Sequence, residues 1–448
     1  MSQRTRILSQ ITGFVGWKVV STRWEAAGGQ QLEPVAGYDV AVDAVLVLVM
    51  ARRWAPRCAH CLAIARAGTC HEHCRVRRWA DLPWAGHRVL VEYAPIRLKC
   101  PRCGSHSVEL LAWAEPRQRQ TRRLQQHVAL DAFSMPLSHV ATKYGLSWRT
   151  VRRAEHGAIA RWSRTRPTQV LRQVGLDEKW LGRRHSRPEK FVTIVSNLET
   201  GEPVWLGYGR DADTVKSWLA TLTALEKQQL VLFASDMHEP FRKAIREDPA
   251  LSHVVYSHDP FHIMKRAGEA ITELRRELFF RAGPKMRGLG RGARWLVLRP
   301  WEKLGEEDRQ RLRHLFALTN GKLARAYQVV EQLREALKAP DEVALGEALW
   351  PILRRTSRRS NVPMRKLHDS LVEHLDGILA FAEHRPPTGR IEALNNNWET
   401  LVRRGRGYRD HQYLLNKLRF LVANPVRTRD GILRFLALGL TPPIAEAA

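Results

Sequence analysis

The spacing of apolar residues changes character along the chain. In the first hundred residues short apolar runs, over 44–50 and 88–98, predict strands, the second returning as a strand or hairpin. Residues 121–163 then read as three helices. The first covers 122–132, and the second is capped by Ser138 and runs through Tyr144. After a Gly145-Leu146-Ser147 turn, Ser147 caps a third helix over 148–159. A short helix, a glycine turn and a basic helix make a helix-turn-helix pattern. Residues 161–168 read as a polar, proline-containing linker.

From residue 170 strands and helices alternate. A partly apolar run over 170–176 delivers Asp177 at an expected strand end. Strands over 190–196 and 203–208 follow, then a helix over 211–225. A cleaner apolar run over 230–234 ends at Ser235-Asp236, followed by a helix over 240–246 and a strand over 254–257. Three strands, then helix, strand, helix, strand, is the ribonuclease-H-like order. Its first and fourth strands are neighbours, which would bring Asp177 beside Asp236. Residues 262–385 read as helical and basic, with helices over 263–280, 306–338, 341–355 and 365–381 and a Gly- and Arg-rich loop over 283–292. The stripe Leu312, Leu315, Phe316, Leu323, Tyr327, Val330 and Leu333 has helical spacing and reads as core. After Pro386-Pro387, Glu392 sits near the start of a helix, and a closing helix covers 412–422.

The expected fold class is therefore multidomain α+β. A zinc-binding region spans 1–115 and a helix-turn-helix with its linker 116–168. A ribonuclease-H-like α/β core over 169–262 is interrupted by an all-helical insertion, 263–385, and resumes over 386–448. A chain of 448 residues has room for two to four such domains.

Composition adds a partner. Lys and Arg number 73 against 45 Asp and Glu, a formal charge of +28 spread along the chain. Such a field favours a polyanion, most often nucleic acid. The apolar stretch over 40–50 is interrupted by Asp43 and falls well short of the roughly 18 residues a membrane span needs. No secretory leader is evident at the N-terminus, so a cytoplasmic location is expected, where thiols stay reduced and six cysteines suggest metal rather than disulfides.

Four of those cysteines form two C-x-x-C knuckles, Cys58/Cys61 and Cys100/Cys103, a thiolate set that suits tetrahedral Zn²⁺. Cys70 and Cys74, with His60, His71 and His73, are further candidates for a second site or for exchange of ligands; buried free thiols are the alternative. Arg149, Arg152 and Arg153 lie near the start of the third helix, where a recognition helix meets bases and phosphates. Asp177, Asp236 and Glu392 are candidate ligands for Mg²⁺, which prefers oxygen donors and keeps several waters, so two or three carboxylates suffice. Glu178 and Asp259 are alternative ligands, Asp259 otherwise supporting the ligands from behind, and His262 reads as structural or DNA-contacting rather than catalytic.

These residues together resemble the transposases of the ISL-three family of bacterial insertion sequences. The likeness runs through the two cysteine knuckles with Asp81-Leu-Pro83 between them, and through the helix-turn-helix. It continues with Gly175-Leu-Asp-Glu178, Ser235-Asp-Met237, Asp259-Pro-Phe-His-Ile-Met-Lys265, Arg390-Ile-Glu-Ala-Leu-Asn-Asn396 and Gly407-Tyr-Arg409. It implies a metal-dependent DDE transposase with a catalytic triad at Asp177, Asp236 and Glu392, using Mg²⁺ or Mn²⁺ alongside structural Zn²⁺. It also implies double-stranded DNA as partner, with terminal inverted repeats to be cut and target DNA to be joined. Arg403 and Arg404 would contact that DNA, with two or more copies of the chain assembled on it at the bacterial nucleoid. Trp398, Glu399 and Pro260 depart from the family pattern, which commonly has an aliphatic residue, a lysine and an arginine there. Two other readings are a DNA-binding regulator, or decayed transposase, without catalysis, and a structure-specific nuclease that cuts but never joins.

Overall fold

A computed structural model describes residues 3–26, 28–32, 44–65, 70–181, 190–358, 361–405, 408 and 410–440. The chain falls into two compact units, one made of Met1–Thr168 with Thr400–Ala448 and the other of Gln169–Glu399.

The first unit opens with a five-stranded sheet ordered Gln31–Leu32, Trp17–Glu25, Val45–Arg52, His87–Tyr93 and Arg77–Trp84. Its core is aromatic: the buried Trp113 ring meets Trp17 edge-on at 4.9 Å and Trp79 at 5.3 Å. The strand over 44–50 appears where the apolar run lies. The strand Trp17–Glu25 was not legible, because Lys18, Ser21, Thr22 and Arg23 blur its alternation. A smaller sheet pairs Cys70–His73 with Ile96–Lys99 and that strand with His106–Val108. It provides the return path between the two knuckles.

Three helices follow: α1 (Arg122–Ser134), α2 (Leu137–Tyr144) and α3 (Trp148–Arg164). Thr121 caps α1 and also donates to the buried Asp81, which Arg123 bonds at 2.8 Å; this explains the Asp81-Leu-Pro83 motif as a brace under the helices. Ser138 does not cap α2. Pro136 holds that position with no side-chain cap, and Ser138 lies inside the helix. Gly145 supplies the left-handed turn (φ 59°) and Ser147 caps α3 as expected. The third helix overruns the expected linker to Arg164. Arg161 is buried, and its guanidinium donates to Gln126 and Glu115, so its polarity marks an internal anchor rather than a solvated linker.

The helix His411–Ala423 packs against α3 in this same unit. Glu155 of α3 is buried, accepts from the Tyr413 hydroxyl and pairs with Lys417 at 2.8 Å. Removing one member of a buried pair leaves the other charge uncompensated. Lys417→Met is therefore expected to destabilise this unit by about 3–5 kcal/mol, read from denaturant unfolding, and Glu155→Leu with Lys417→Met to recover most of the loss.

The second unit is built on a five-stranded sheet of β1 (Gln173–Trp180), β2 (Phe191–Asn197), β3 (Pro203–Tyr208), β4 (Leu232–Ser235) and β5 (Val255–His258), in the order β3-β2-β1-β4-β5. The first three strands run antiparallel, whereas β4 is parallel to both β1 and β5. The expected first–fourth neighbourhood is thus present. Helices α4 (Ala212–Leu219) and α5 (Glu239–Arg246) share one apolar core with the sheet, around Leu176, Trp218, Phe233 and Phe241. Ile391, from helix α9 described below, joins a separate cluster with Leu198, Leu232 and Ala234.

Several boundaries shift for local reasons. β1 runs three residues past Asp177, because Glu178, Lys179 and Trp180 still pair with β2. The helix expected over 211–225 is two, the second (Ala224–Gln229) starting at a Thr223/Glu226 capping box. The 283–292 loop contains a short helix, Pro284–Leu289. The 306–338 stretch breaks at Asn320 and Gly321, both at positive φ. The insertion has its own extensive core, entered by α6 (Pro260–Arg275) and closed by α7 (Val362–Glu373) and α8 (Leu375–His384). Gly377 of α8 makes room for the buried His258 ring: a Cβ there would lie 2.4 Å from it. Burial pushes the His258 imidazole down to about 4, so it sits neutral beneath the helix. Helix α9 (Gly389–Gly405) then carries Glu392.

Candidate metal centres and nucleic-acid interface

The four knuckle sulfurs converge. Cys58, Cys61, Cys100 and Cys103 each offer a sulfur within 4.8 Å of the others. The Cys58–Cys103 separation is 3.8 Å and the Cys61–Cys100 separation 3.4 Å. Four sulfurs at 2.3 Å from a tetrahedral ion would be about 3.8 Å apart, so the set fits such a metal. The two knuckles repeat one geometry: the amides of Leu62 and Gly104 close back on the carbonyls of Cys58 and Cys100, and both residues have positive φ. Burial opposes the Cys58 thiolate, but the Cys61 and His60 amides and the neighbouring sulfurs outweigh it and bring the thiol down to about 6. At Cys61 the Ala63 amide favours the thiolate, yet burial and the other three sulfurs carry it up to about 11. Four thiols this close share few charges until a cation neutralises them. Cys74 is partly buried and is not in the group. The side chains of Cys70 and His71 lie outside the described residues.

A second convergence lies on the other sheet. Ser235 of β4 is in register with Leu176 of β1, so the chain delivers Asp236 next to Asp177. Asp177, Glu178 and Asp236 each offer an oxygen within 4.8 Å of the others. Asp177 is 8 % exposed, and its Oδ2 makes no hydrogen bond, although Lys179 Nζ stands 3.4 Å away. Glu178 Oε2 and Asp236 Oδ1 are likewise buried without hydrogen-bond partners. Burial, then the neighbouring carboxylates, hold Glu178 above the usual carboxylate range; burial and Asp177 do the same to Asp236, against His262, His238 and Lys265. Orphaned buried carboxylate oxygens at this spacing are the donor set a hard divalent cation takes.

Asp259 takes a different role. It caps α6, accepting from the Phe261 amide at 3.1 Å, and it faces His262 Nδ1 at 3.3 Å and Thr388. Against the cost of burial, those bonds hold its carboxyl below the usual range. His262 and Lys265 line a cavity of about 200 Å³ against Asp236. Glu392 is exposed on the first turn of α9 and is not in the three-carboxylate group. Its helix is nonetheless anchored close by. A Cβ on Gly175, two residues before Asp177, would lie 3.0 Å from Ile391, and Arg390 Nη1 donates to Leu198 O at 2.5 Å. That Cβ would crowd Ser196 Oγ at 2.7 Å and Leu198 at 2.8 Å as well, so the glycine of the Gly175-Leu-Asp-Glu178 motif keeps room for β2, the turn after it and the Glu392 helix together.

On α3 the three arginines separate. Arg152 pairs with Asp410 at 2.6 Å and stacks 4.7 Å over the Tyr413 ring, so it holds the helix His411–Ala423. Arg149 and Arg153 are exposed on the helix, beside an exposed Trp148. Arg403 is exposed on α9, and Arg404 donates to the Phe133 carbonyl at 2.6 Å. Arg149→Ala and Arg153→Ala are each expected to lower the salt slope of duplex binding by about 1, measured by titration at several salt concentrations. Arg152→Ala is expected to act through the stability of the unit instead.

The sheet, its carboxylates and the helix-turn-helix define a protein that handles DNA. Residues 174–418 match the family model described as "Transposase", and residues 109–156 match "Helix-turn-helix domain of transposase family ISL3". The chain belongs to the ISL3 family of transposases. It is 25 % identical over 418 residues to the transposase for insertion sequence element IS1001 of Bordetella parapertussis, covering 92 % of this chain and 97 % of that one. It is 26 % identical over 371 residues to the transposase for insertion sequence element IS1557 of Mycobacterium tuberculosis, covering 76 % and 80 %. Among the described residues no helix is long and apolar enough to cross a membrane.

Proposed function

We propose that this chain is a DDE transposase that cuts DNA at the terminal inverted repeats of its element and joins the freed ends to target DNA. The observation that carries the reading is the meeting of Asp177, Glu178 and Asp236 oxygens, buried and without hydrogen-bond partners, where two parallel strands run side by side. The strand order β3-β2-β1-β4-β5 supports a ribonuclease-H-like core. Asp177, Asp236 and Glu392 are its triad and would hold two Mg²⁺ or Mn²⁺ ions, with Glu178 beside them. When bound, such ions neutralise the developing phosphate charge and favour both the attacking and the leaving oxygen. The protein's own part is to fix the carboxylates, with His262 and Lys265 facing the same cavity. No tyrosine or serine nucleophile is needed. The Cys58/Cys61/Cys100/Cys103 group would hold structural Zn²⁺, and two element ends call for two or more copies of the chain.

The test incubates purified protein with duplexes carrying the DNA that adjoins the gene, in Mg²⁺, in Mn²⁺ and in chelator. Cleavage at the repeat ends and joining to a target plasmid, both metal-dependent, are expected. Binding without cleavage in any divalent metal would instead make the chain a regulator, and cleavage without joining a nuclease.

A further inference from the structure

Beside the Asp236 cavity runs a second groove of about 780 Å³, between α6 and the short helix Arg294–Leu298. The volume falls within the roughly 300–1,000 Å³ of small-ligand sites. Two large aromatic rings line it, and both are mostly in solvent: Phe261 is 58 % exposed and Trp295 62 %. Met264 and Leu298 add apolar wall. Gly268 of α6 also lines the groove, where a Cβ would lie 3.1 Å from the Leu298 side chain.

Lys265, Arg276, Arg294 and Arg334 line it against two acids, Glu269 and Glu273. Arg276 shares Glu273 with Arg281, and Arg334 pairs with Glu331. Arg294 instead stands 5.3 Å over the Trp295 ring, holding the indole in a cationic setting. Exposed aromatic faces among cations are what an unstacked nucleobase and its phosphates require.

The groove is continuous with the carboxylate site. Lys265 and Glu269 line both it and the Asp236 cavity, and the Phe261 amide is bonded to Asp259. The geometry points to this groove as the seat of one unpaired nucleotide next to the cleaved phosphate, stacked on Trp295 and Phe261. The inference rests on the carboxylates being the cutting centre. It adds that the duplex is locally opened there, so that the scissile phosphate can be lowered to the buried Asp177 and the partly buried Asp236. Glu269 offers an acceptor for an exocyclic amino group of the seated base.

The test places 2-aminopurine, one position at a time, around the cut site of short duplexes made from the DNA that adjoins the gene. Binding by the wild-type protein is expected to brighten one position several-fold. Trp295→Ala and Phe261→Ala should lose the brightening and slow cleavage about tenfold, Trp295→Phe should keep both, and a mismatch at the bright position should restore cleavage by Trp295→Ala. The inference is overturned if no position brightens, or if both alanine variants brighten and cut like the wild type. Asp177→Asn run in parallel separates the two readings. Brightening with undiminished cleavage in that variant removes the carboxylate assignment and leaves the groove; loss of cleavage with no brightening in any protein does the reverse.

Discussion

Replacing Asp177 by Asn is expected to lower strand cleavage by roughly 10³-fold or more, the scale of a lost metal contact worth several kcal/mol at 1.36 kcal/mol per factor of ten. Asp177 is the most enclosed of the clustered carboxylates, and its Oδ2 has no hydrogen-bond donor to lose. The amide keeps the side-chain volume and the bond from the Glu178 amide to Oδ1, so the fold should survive and duplex binding should be unchanged. A readout apart from activity is available. Mg²⁺ should raise the melting temperature of the wild-type protein and have little effect on the variant, because a cation that binds only the folded state stabilises it by mass action. Asp236→Asn should behave alike. Glu392→Gln should abolish cleavage with a smaller effect on melting, since that carboxylate is exposed and stands outside the cluster. Wild-type cleavage by Asp177→Asn would overturn the assignment.

Purified protein is expected to carry one zinc ion per chain, and Cys58→Ser or Cys100→Ser to lose it together with the fold of the first unit. Zinc sites in small domains are worth about 10–16 kcal/mol of apparent binding energy at neutral pH, as much as an ordinary domain's whole stability. The loss should show as a lower melting temperature and weakened duplex binding. Cys74→Ser should retain the metal, because that sulfur is not in the four-sulfur group. Zinc-free protein from a clean preparation, or normal folding and binding by Cys58→Ser, would defeat the prediction.

Both centres were legible in unequal degree. The two C-x-x-C knuckles are local signals, and what pairs them is the antiparallel pairing of Cys70–His73 with Ile96–Lys99, part of which the apolar run over 88–98 announces. Asp177 and Asp236 were readable only through strand order, since neither has a local signature. Glu178 was harder to place. Strand alternation would send it to the face opposite Asp177, but β4 stops at Ser235, so Asp236 emerges beyond the sheet where both neighbours reach it. The separation of Arg152 from Arg149 and Arg153 could not be read at all, because its partners, Asp410 and Tyr413, come more than two hundred positions later.

That last pairing bears on how the protein is made. Glu155, Trp162 and Gln126 of the helix-turn-helix are covered by Lys417, Tyr413, Phe420 and the Phe435 carbonyl, all from the end of the chain. A ribosome has therefore released the recognition helix long before it releases the side chains that bury the helix's back. A truncated product would carry the arginines without the support behind them. The helix-turn-helix is therefore complete only once residues 411–435 have been added, and a chain cut short before them is expected to bind DNA poorly.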